Sequence, residues 1–280
     1  MAESSQSQSG RKKRPRSESD DDPDADADAA SLQSIQLGML FLFSKNDLTF
    51  TDTAIALQMM KAQFPKLDKV VVRPFILRSQ LYSSVKDRTQ VDRDLESLKK
   101  EAVVRVFKLN TGKDDHAIMF MDDYLAQMEN AVKRYDVKDK QLSEVFDWFK
   151  QYVIKSKTDV SISHPELCSL LSNGGDVTEK HVTLLINAGL LTRQLIDQNL
   201  YWFVIPNIGS ILKGLSQGRK ELLSLIKRTK YKEMVLANLE KKRLRLSPLD
   251  IRFHIRDLIG SGLLKTVQSP IGLLIRLSRD

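Results

Sequence analysis

The chain has 280 residues, a formal net charge of +8, 41% hydrophobic and 29% charged side chains, and one cysteine. That length holds two or three small domains of ordinary globular composition. It offers no apolar run near the roughly 20 residues of a membrane helix and no secretory leader, and one cysteine excludes an internal disulfide, which suits a reducing nuclear or cytosolic compartment.

The charge is unevenly spread. Residues 1–31 carry 5 basic and 8 acidic side chains, net −3; residues 32–212 carry 23 and 22, net +1; residues 213–280 carry 16 and 6, net +10. The positive excess therefore lies in the last quarter of the chain.

Residues 1–31 are poor in apolar side chains and rich in Ser, Asp and Glu, so they are expected to be a disordered tail. Within it Arg11, Lys12, Lys13, Arg14 and Arg16 form a compact basic run of the kind read by nuclear import receptors. The tract from Asp20 to Asp28 reads as an acidic spacer.

The first unit spans 32–134. Ser31 to Ser44 is apolar and is expected to dock as a helix on the first core. Thr51 to Phe64 reads as a helix with Ile55, Met59 and Met60 inward, and Pro74 to Ser83 as a second. Asp87 and Gln90 form a capping box for a third, whose stripe is Val91, Leu95 and Leu98. Val103 to Leu109 then pairs with Ala117 to Met121 across a loop centred on Gly112, and Asp122 to Arg134 bridges onward.

The second unit spans 135–206. Gln141 to Lys155 places Leu142, Val145, Phe146, Phe149 and Val153 on one side. Ser163-His164-Pro165-Glu166 opens a short helix, in which Cys168 reads as a small core residue. Asp176 with Glu179 caps another, with Val182, Leu185 and Ile186 as its stripe; Gly189 stops it. Leu190 to Ile196 and Leu200 to Ile205 make a hairpin turning at Asp197-Gln198-Asn199. Tyr201, Trp202 and Phe203 alternate there, so two are expected to face the core, with Trp202 either turned out as a contact surface or packed against the bridging helix.

The third unit spans 207–280. Gly209 to Leu215, Lys220 to Arg228 and Tyr231 to Lys242 read as helices, the last with Met234, Val235 and Leu239 inward. Ser247 with Pro248 and Asp250 opens a capped helix with the stripe Ile255, Leu258, Ile259; Gly262 stops it, and Leu263 to Val267 pairs with Leu273 to Leu277. Aligning Val103-Val104, Leu190-Leu191 and Leu263-Leu264 gives offsets of 87 and 73 residues, a degenerate internal repeat. Capped helix, Gly stop and hairpin form the recognition helix and wing of a winged helix. The expected fold is α+β, mainly helical: three tandem winged-helix units, each of helices plus a β-hairpin wing.

Twelve basic side chains lie between Arg219 and Arg256. Arg219, Lys220, Lys227, Arg228, Lys230 and Lys232 are expected to hold the backbone of double-stranded DNA, with Lys241, Lys242, Arg243 and Arg245 beside them. Arg252 and Arg256, four apart on the capped helix, are the candidates for the major groove. The alternative is a protein adaptor. The capped helices of the first two units mix Arg88, Asp92, Arg93 and Asp94, or Glu179, Lys180 and His181, and such faces meet protein more often than phosphate.

The four histidines carry no paired ligand spacing, so no metal or other cofactor is expected, and no catalytic constellation has a supporting context.

Leu77-Arg78-Ser79-Gln80-Leu81-Tyr82-Ser83, Asp87-Arg88-Thr89, Asp92-Arg93, Asn187-Ala188-Gly189, Lys230-Tyr231-Lys232-Glu233 and Asp257-Leu258-Ile259-Gly260 closely resemble the serine/threonine-protein kinase 19 family, in order over about residues 70 to 278. The resemblance implies a nuclear winged-helix protein that binds DNA, linked to transcription-coupled nucleotide-excision repair, with repair factors at stalled RNA polymerase as partners. A homodimer through a wing or recognition helix stays open. Despite the family name no phosphotransfer is expected. The chain has no Gly-rich loop, no β3 Lys motif and no Asp-Phe-Gly. His254-Ile255-Arg256-Asp257 has an extra residue against the catalytic-loop order, and the Asn position five past Asp257 holds Gly262.

Overall fold

Thr51 starts the first described helix, its Oγ1 accepting the Ala54 amide at 3.2 Å; α1 is Asp52–Ala62. The computed structural model describes residues 51–67, 71–112, 114–134 and 140–278. The expected disordered tail, its basic run and acidic tract, and the apolar 31–44 segment lie outside the described residues. About half of the described residues are helical, and the strands form three small antiparallel sheets, an α+β fold.

The order along the chain is β1 (Ile76–Leu77), α2 (Arg78–Ser84), α3 (Arg88–Lys100), β2 (Val104–Lys108), β3 (His116–Phe120) and α4 (Met121–Arg134). Next come α5 (Lys140–Ser143), α6 (Val145–Trp148), a π-helical stretch (Phe149–Ile154), β4 (Ser161–Ser163), α7 (His164–Leu171), α8 (Glu179–Asn187), β5 (Leu191–Arg193) and β6 (Leu200–Phe203). The last part holds α9 (Gly209–Lys227), β7 (Glu233–Val235), α10 (Leu236–Glu240), α11 (Ile251–Gly260), β8 (Leu264–Ser269) and β9 (Gly272–Leu277).

The sheets share one topology: β1-β3-β2, β4-β6-β5 and β7-β9-β8. In each, the second strand of the hairpin is central and a short earlier strand closes its free edge. Those edge strands replace expected helix or loop. Pro74 to Ser83 is strand then helix, and Tyr231 to Lys242 is β7 followed by α10. Strands of two or three residues are too short to display alternation. The helices before each hairpin also end alike. Ala102, Gly189 and Gly262 take left-handed backbone, with φ of 56°, 73° and 81°, at the same offsets of 87 and 73 residues. In the first two the following amide closes back on the helix, Val103 to Leu98 O at 2.9 Å and Leu190 to Leu185 O at 3.0 Å.

Several expected caps shift. Asp87 caps α3 as expected, accepting the amides of Thr89 and Gln90, but Gln90 Nε2 donates to Asp94 rather than closing a box. Ser163 caps α7, with Pro165 in its first turn. Thr178, not Asp176, caps α8, and its own amide donates to His181 Nδ1 at 3.0 Å. Asp250, not Ser247, caps α11, accepting the Phe253 amide at 2.7 Å. The two helices expected before Arg228 are one, α9. On α1 the buried side chains are Thr53, Ala56, Leu57, Gln58 and Met60; Met59 faces out.

Val91, Leu95 and Leu98 are buried, as the periodicity predicts, and pack with Ile76, Val104 and Ile118 beneath one face of the first sheet. The other face, Leu77, Phe107, Ala117 and Met119, joins the core of the second sheet with Tyr201 and Phe203. Covered on both faces, β3 is therefore apolar without alternation over Ala117 to Phe120. Arg105 is buried at this junction. Its Nη1 donates to the carbonyls of Ile154 (3.3 Å) and Lys157 (2.8 Å), and its guanidinium lies 4.1 Å from the Phe203 ring centre. Leu222, Ile226, Leu239, Ile251, Ile255, Leu258, Leu264 and Ile275 make a third core. Cys168 is partly buried against the core of the second sheet, its Sγ 3.5 Å from His164 Nε2.

Candidate nucleic-acid interface

α9 buries Ile211, Leu215, Leu222 and Ile226 at helical spacing. Lys220, Ser224 and Arg228 follow at intervals of four, so they share another face. Two glycines let α11 and the segment before it lie close against this helix. A Cβ at Gly214 would sit 2.4 Å from Pro248 Cδ, and one at Gly218 would sit 2.4 Å from His254 Nε2. Gly is the residue that permits such approach. The segment from Lys241 to Leu246 consequently lies beside α9, and the Glu221 carboxylate accepts the amides of Arg245 and Leu246 at 3.0 to 3.1 Å.

Between helix and segment runs an open groove of about 680 Å³. Lys220 and Arg228 line one wall, Lys242, Arg243 and Arg245 the other, and Glu221 is the one carboxylate among its described lining residues. All five cations are exposed. Two basic runs separated in sequence thus converge on one concave surface, an arrangement able to neutralise several successive phosphates. A larger groove of about 980 Å³, between α1 and the start of α3, mixes Asp52, Asp87 and Asp94 with Lys86 and Arg256, so it lacks a field of one sign.

The other expected contacts divide. Lys227, Lys230, Lys232 and Lys241 are exposed but do not line the groove. Lys230 Nζ lies 5.3 Å from the ring centre of the exposed Tyr231. Arg219 departs from expectation. Its side chain is largely buried and is held by Asp257, with Nε to Oδ2 at 2.6 Å, and by Asp115. Burial pulls the guanidinium down, yet its hydrogen bonds to Asp257 and Asp115 outweigh it and hold it above the usual arginine range. A cation so committed is not free for phosphate.

The expected groove reader, α11, is packed along most of its length. Ile251, Phe253, His254, Ile255, Asp257, Leu258 and Gly260 are all buried. α11 packs on α2 so closely that a Cβ at Gly260 would fall 1.5 Å from the Ser79 carbonyl oxygen. Ser79 Oγ donates to Asp257 (2.6 Å), Gln80 Nε2 to Phe253 O (3.1 Å) and Arg88 Nη2 to Gly260 O (3.1 Å). Arg256 turns to α1, donating to Gln63 Oε1 at 2.8 Å, and its burial lowers the guanidinium below the usual range. Arg252 is exposed, 3.6 Å from Glu240. Of the expected pair, Arg256 is thus engaged within the fold and Arg252 stays exposed.

Sequence reasoning missed Glu221 as a groove residue; a single acid after Lys220 carries no signal of its own. Among the described residues no helix is long and apolar enough to cross a membrane.

The family model described as inactive serine-threonine protein kinase 19 matches residues 41–277. A human protein named winged helix repair factor 1 is 30% identical over 219 residues, covering 76% of this chain and 81% of the human one. The Xenopus laevis protein of that name is 32% identical over 235 residues, covering 80% and 82%. The mouse protein is 30% identical over 224 residues, covering 79% and 84%. By these similarities the chain belongs to the inactive serine-threonine protein kinase 19 family.

Proposed function

We propose that the chain is a nuclear winged-helix protein that binds double-stranded DNA through the groove between α9 and the Lys241–Leu246 segment, and that it acts in transcription-coupled nucleotide-excision repair. The observation that carries the reading is the convergence of Lys220, Arg228, Lys242, Arg243 and Arg245 on one groove. The three sheets of identical strand order support three winged-helix units, with boundaries near 32–134, 135–206 and 207–280. The repair-factor name of the relatives supports a role in repair; the transcription-coupled branch, with repair factors at stalled RNA polymerase as partners, is the finer part of the proposal. The family's description as inactive supports a non-enzymatic role.

In this reading the cations bind backbone and carry no sequence preference, since phosphate contacts position a protein without reading bases. Lys227, Lys230, Lys232 and Lys241, exposed outside the groove, extend the attraction to flanking phosphates.

A second surface favours protein. The hairpin tip between β5 and β6 leaves Leu195 and Ile196 fully exposed, while the turn itself is held by Asp197 Oδ1 accepting the Asn199 amide at 2.9 Å. An ordered apolar tip of this kind marks an interaction site, so adaptor contacts on the second unit and DNA on the third are compatible.

The test is fluorescence anisotropy with a labelled random duplex across a salt series. Wild type is expected to bind with a steep salt slope. The variant carrying Lys220→Glu, Arg228→Glu, Lys242→Glu and Arg243→Glu is expected to lose affinity by about a hundredfold or more at low salt. Weak binding that the variant leaves unchanged would leave the adaptor reading in its place.

A further inference from the structure

We infer that Glu221 is a positioning residue of the basic groove: its carboxylate pins the Lys241–Leu246 segment to α9 and so sets the spacing of the cations on the two walls. The inference rests on the reading of the groove as a phosphate-binding surface.

A carboxylate inside such a surface is unfavourable as a charge, because it repels phosphate. Its geometry supplies a different role. Oε1 accepts the Arg245 amide at 3.0 Å, and Oε2 accepts the Arg245 and Leu246 amides at 3.1 and 3.0 Å. Two successive backbone donors aimed at one anion make a small nest. The segment they belong to has no strand or helix of its own: α10 ends at Glu240 and α11 begins at Ile251. Lys242, Arg243 and Arg245 therefore sit on a loop, and these hydrogen bonds join that loop to the helix carrying Lys220 and Arg228. Electrostatically Glu221 weakens DNA binding; as an anchor it strengthens it. The two effects have opposite signs, and that makes them separable.

Two neutral replacements separate them. Glu221→Gln and Glu221→Ala remove the same charge, but Gln keeps an oxygen able to accept both amides and Ala keeps none. Intact wild type and both variants would be titrated against the labelled random duplex across a salt series. Amide hydrogen exchange of the 241–246 segment and thermal melts would accompany each variant. Glu221→Gln is expected to bind at least as tightly as wild type. Glu221→Ala is expected to bind about fivefold more weakly than Glu221→Gln, with a shallower salt slope, because fewer phosphates are reached together. Exchange at Arg245 and Leu246 should quicken in the Ala variant and not in the Gln variant. If both variants bind equally and more tightly than wild type, Glu221 is only a charge and the inference is overturned. If wild type does not bind the duplex at all, the groove reading itself fails and the inference falls with it.

Discussion

Asp257 on α11 accepts the Ser79 hydroxyl of α2 at 2.6 Å, and the same buried carboxylate holds Arg219 of α9. Arg219 reaches on to Asp115 beside β3, so segments distant in sequence meet at one guanidinium. Removing Asp257 leaves the guanidinium with Asp115 alone and costs the charge-assisted hydrogen bonds to Arg219 and Ser79, about 1.5–3 kcal/mol. Asp257→Ala is expected to lower the unfolding free energy by that amount in urea titrations. Arg219→Met, measured where it remains folded, should leave duplex affinity within about twofold of wild type, because that cation faces inward. A loss as large as that from a groove cation would show that Arg219 touches DNA after all.

Two glycines near the same helix should respond differently. A Cβ at Gly260 would meet the Ser79 carbonyl oxygen at 1.5 Å, a backbone atom that cannot swing aside. Gly260→Ala is thus expected to cost upward of about 3 kcal/mol, through separation of α11 from α2. Gly262 has open space around its Cβ direction but a φ of 81°. Gly262→Ala should cost about 1 kcal/mol, the left-handed backbone penalty alone. Parallel thermal melts check the pair, and equal losses would contradict the close packing at Gly260.

His254 gives the fold a pH dependence. Burial is the largest cause that pushes its imidazole down to about 4, with Arg219 adding to it against Asp257. Its Nε2 lies 2.8 Å from Ser247 Oγ. An unfolded histidine takes up a proton near pH 6.5. Between pH 6.5 and 4 the unfolded chain therefore binds the extra proton and the folded chain does not. This contribution to stability is fully present above pH 6.5 and is lost as pH falls toward 4, by up to about 3 kcal/mol. Urea midpoints at pH 7 and pH 5 should differ accordingly, and His254→Gln should flatten the difference.

The helix stripes, hairpins and left-handed stops were legible because each has a local cause: Val91, Leu95 and Leu98 at helical spacing, Gly189 and Gly262 after the last turn. Ala102 shows the limit of residue type, since it takes the left-handed position without being Gly. The edge strands β1, β4 and β7 were invisible because their pairing comes from strands far along the chain. For the site, the basic density was legible and its partition was not. Arg219, Lys220 and Arg228 look alike in sequence, yet Asp115 and Asp257, 104 and 38 residues away from Arg219, claim one of them. The amphipathic pattern of α11 likewise marks one buried face and is silent about the second, which α2 covers.

DNA binding by the groove is tested most directly by comparing two charge-reversal variants side by side for duplex affinity at fixed low salt. One carries Arg228→Glu, Lys242→Glu and Arg243→Glu in the groove; the other carries Arg252→Glu, the exposed cation of α11. The groove variant is expected to weaken binding by at least about tenfold, and Arg252→Glu by less than about threefold. Binding abolished by Arg252→Glu and unaffected by the groove variant would contradict a groove-borne contact and return DNA binding to the exposed edge of α11.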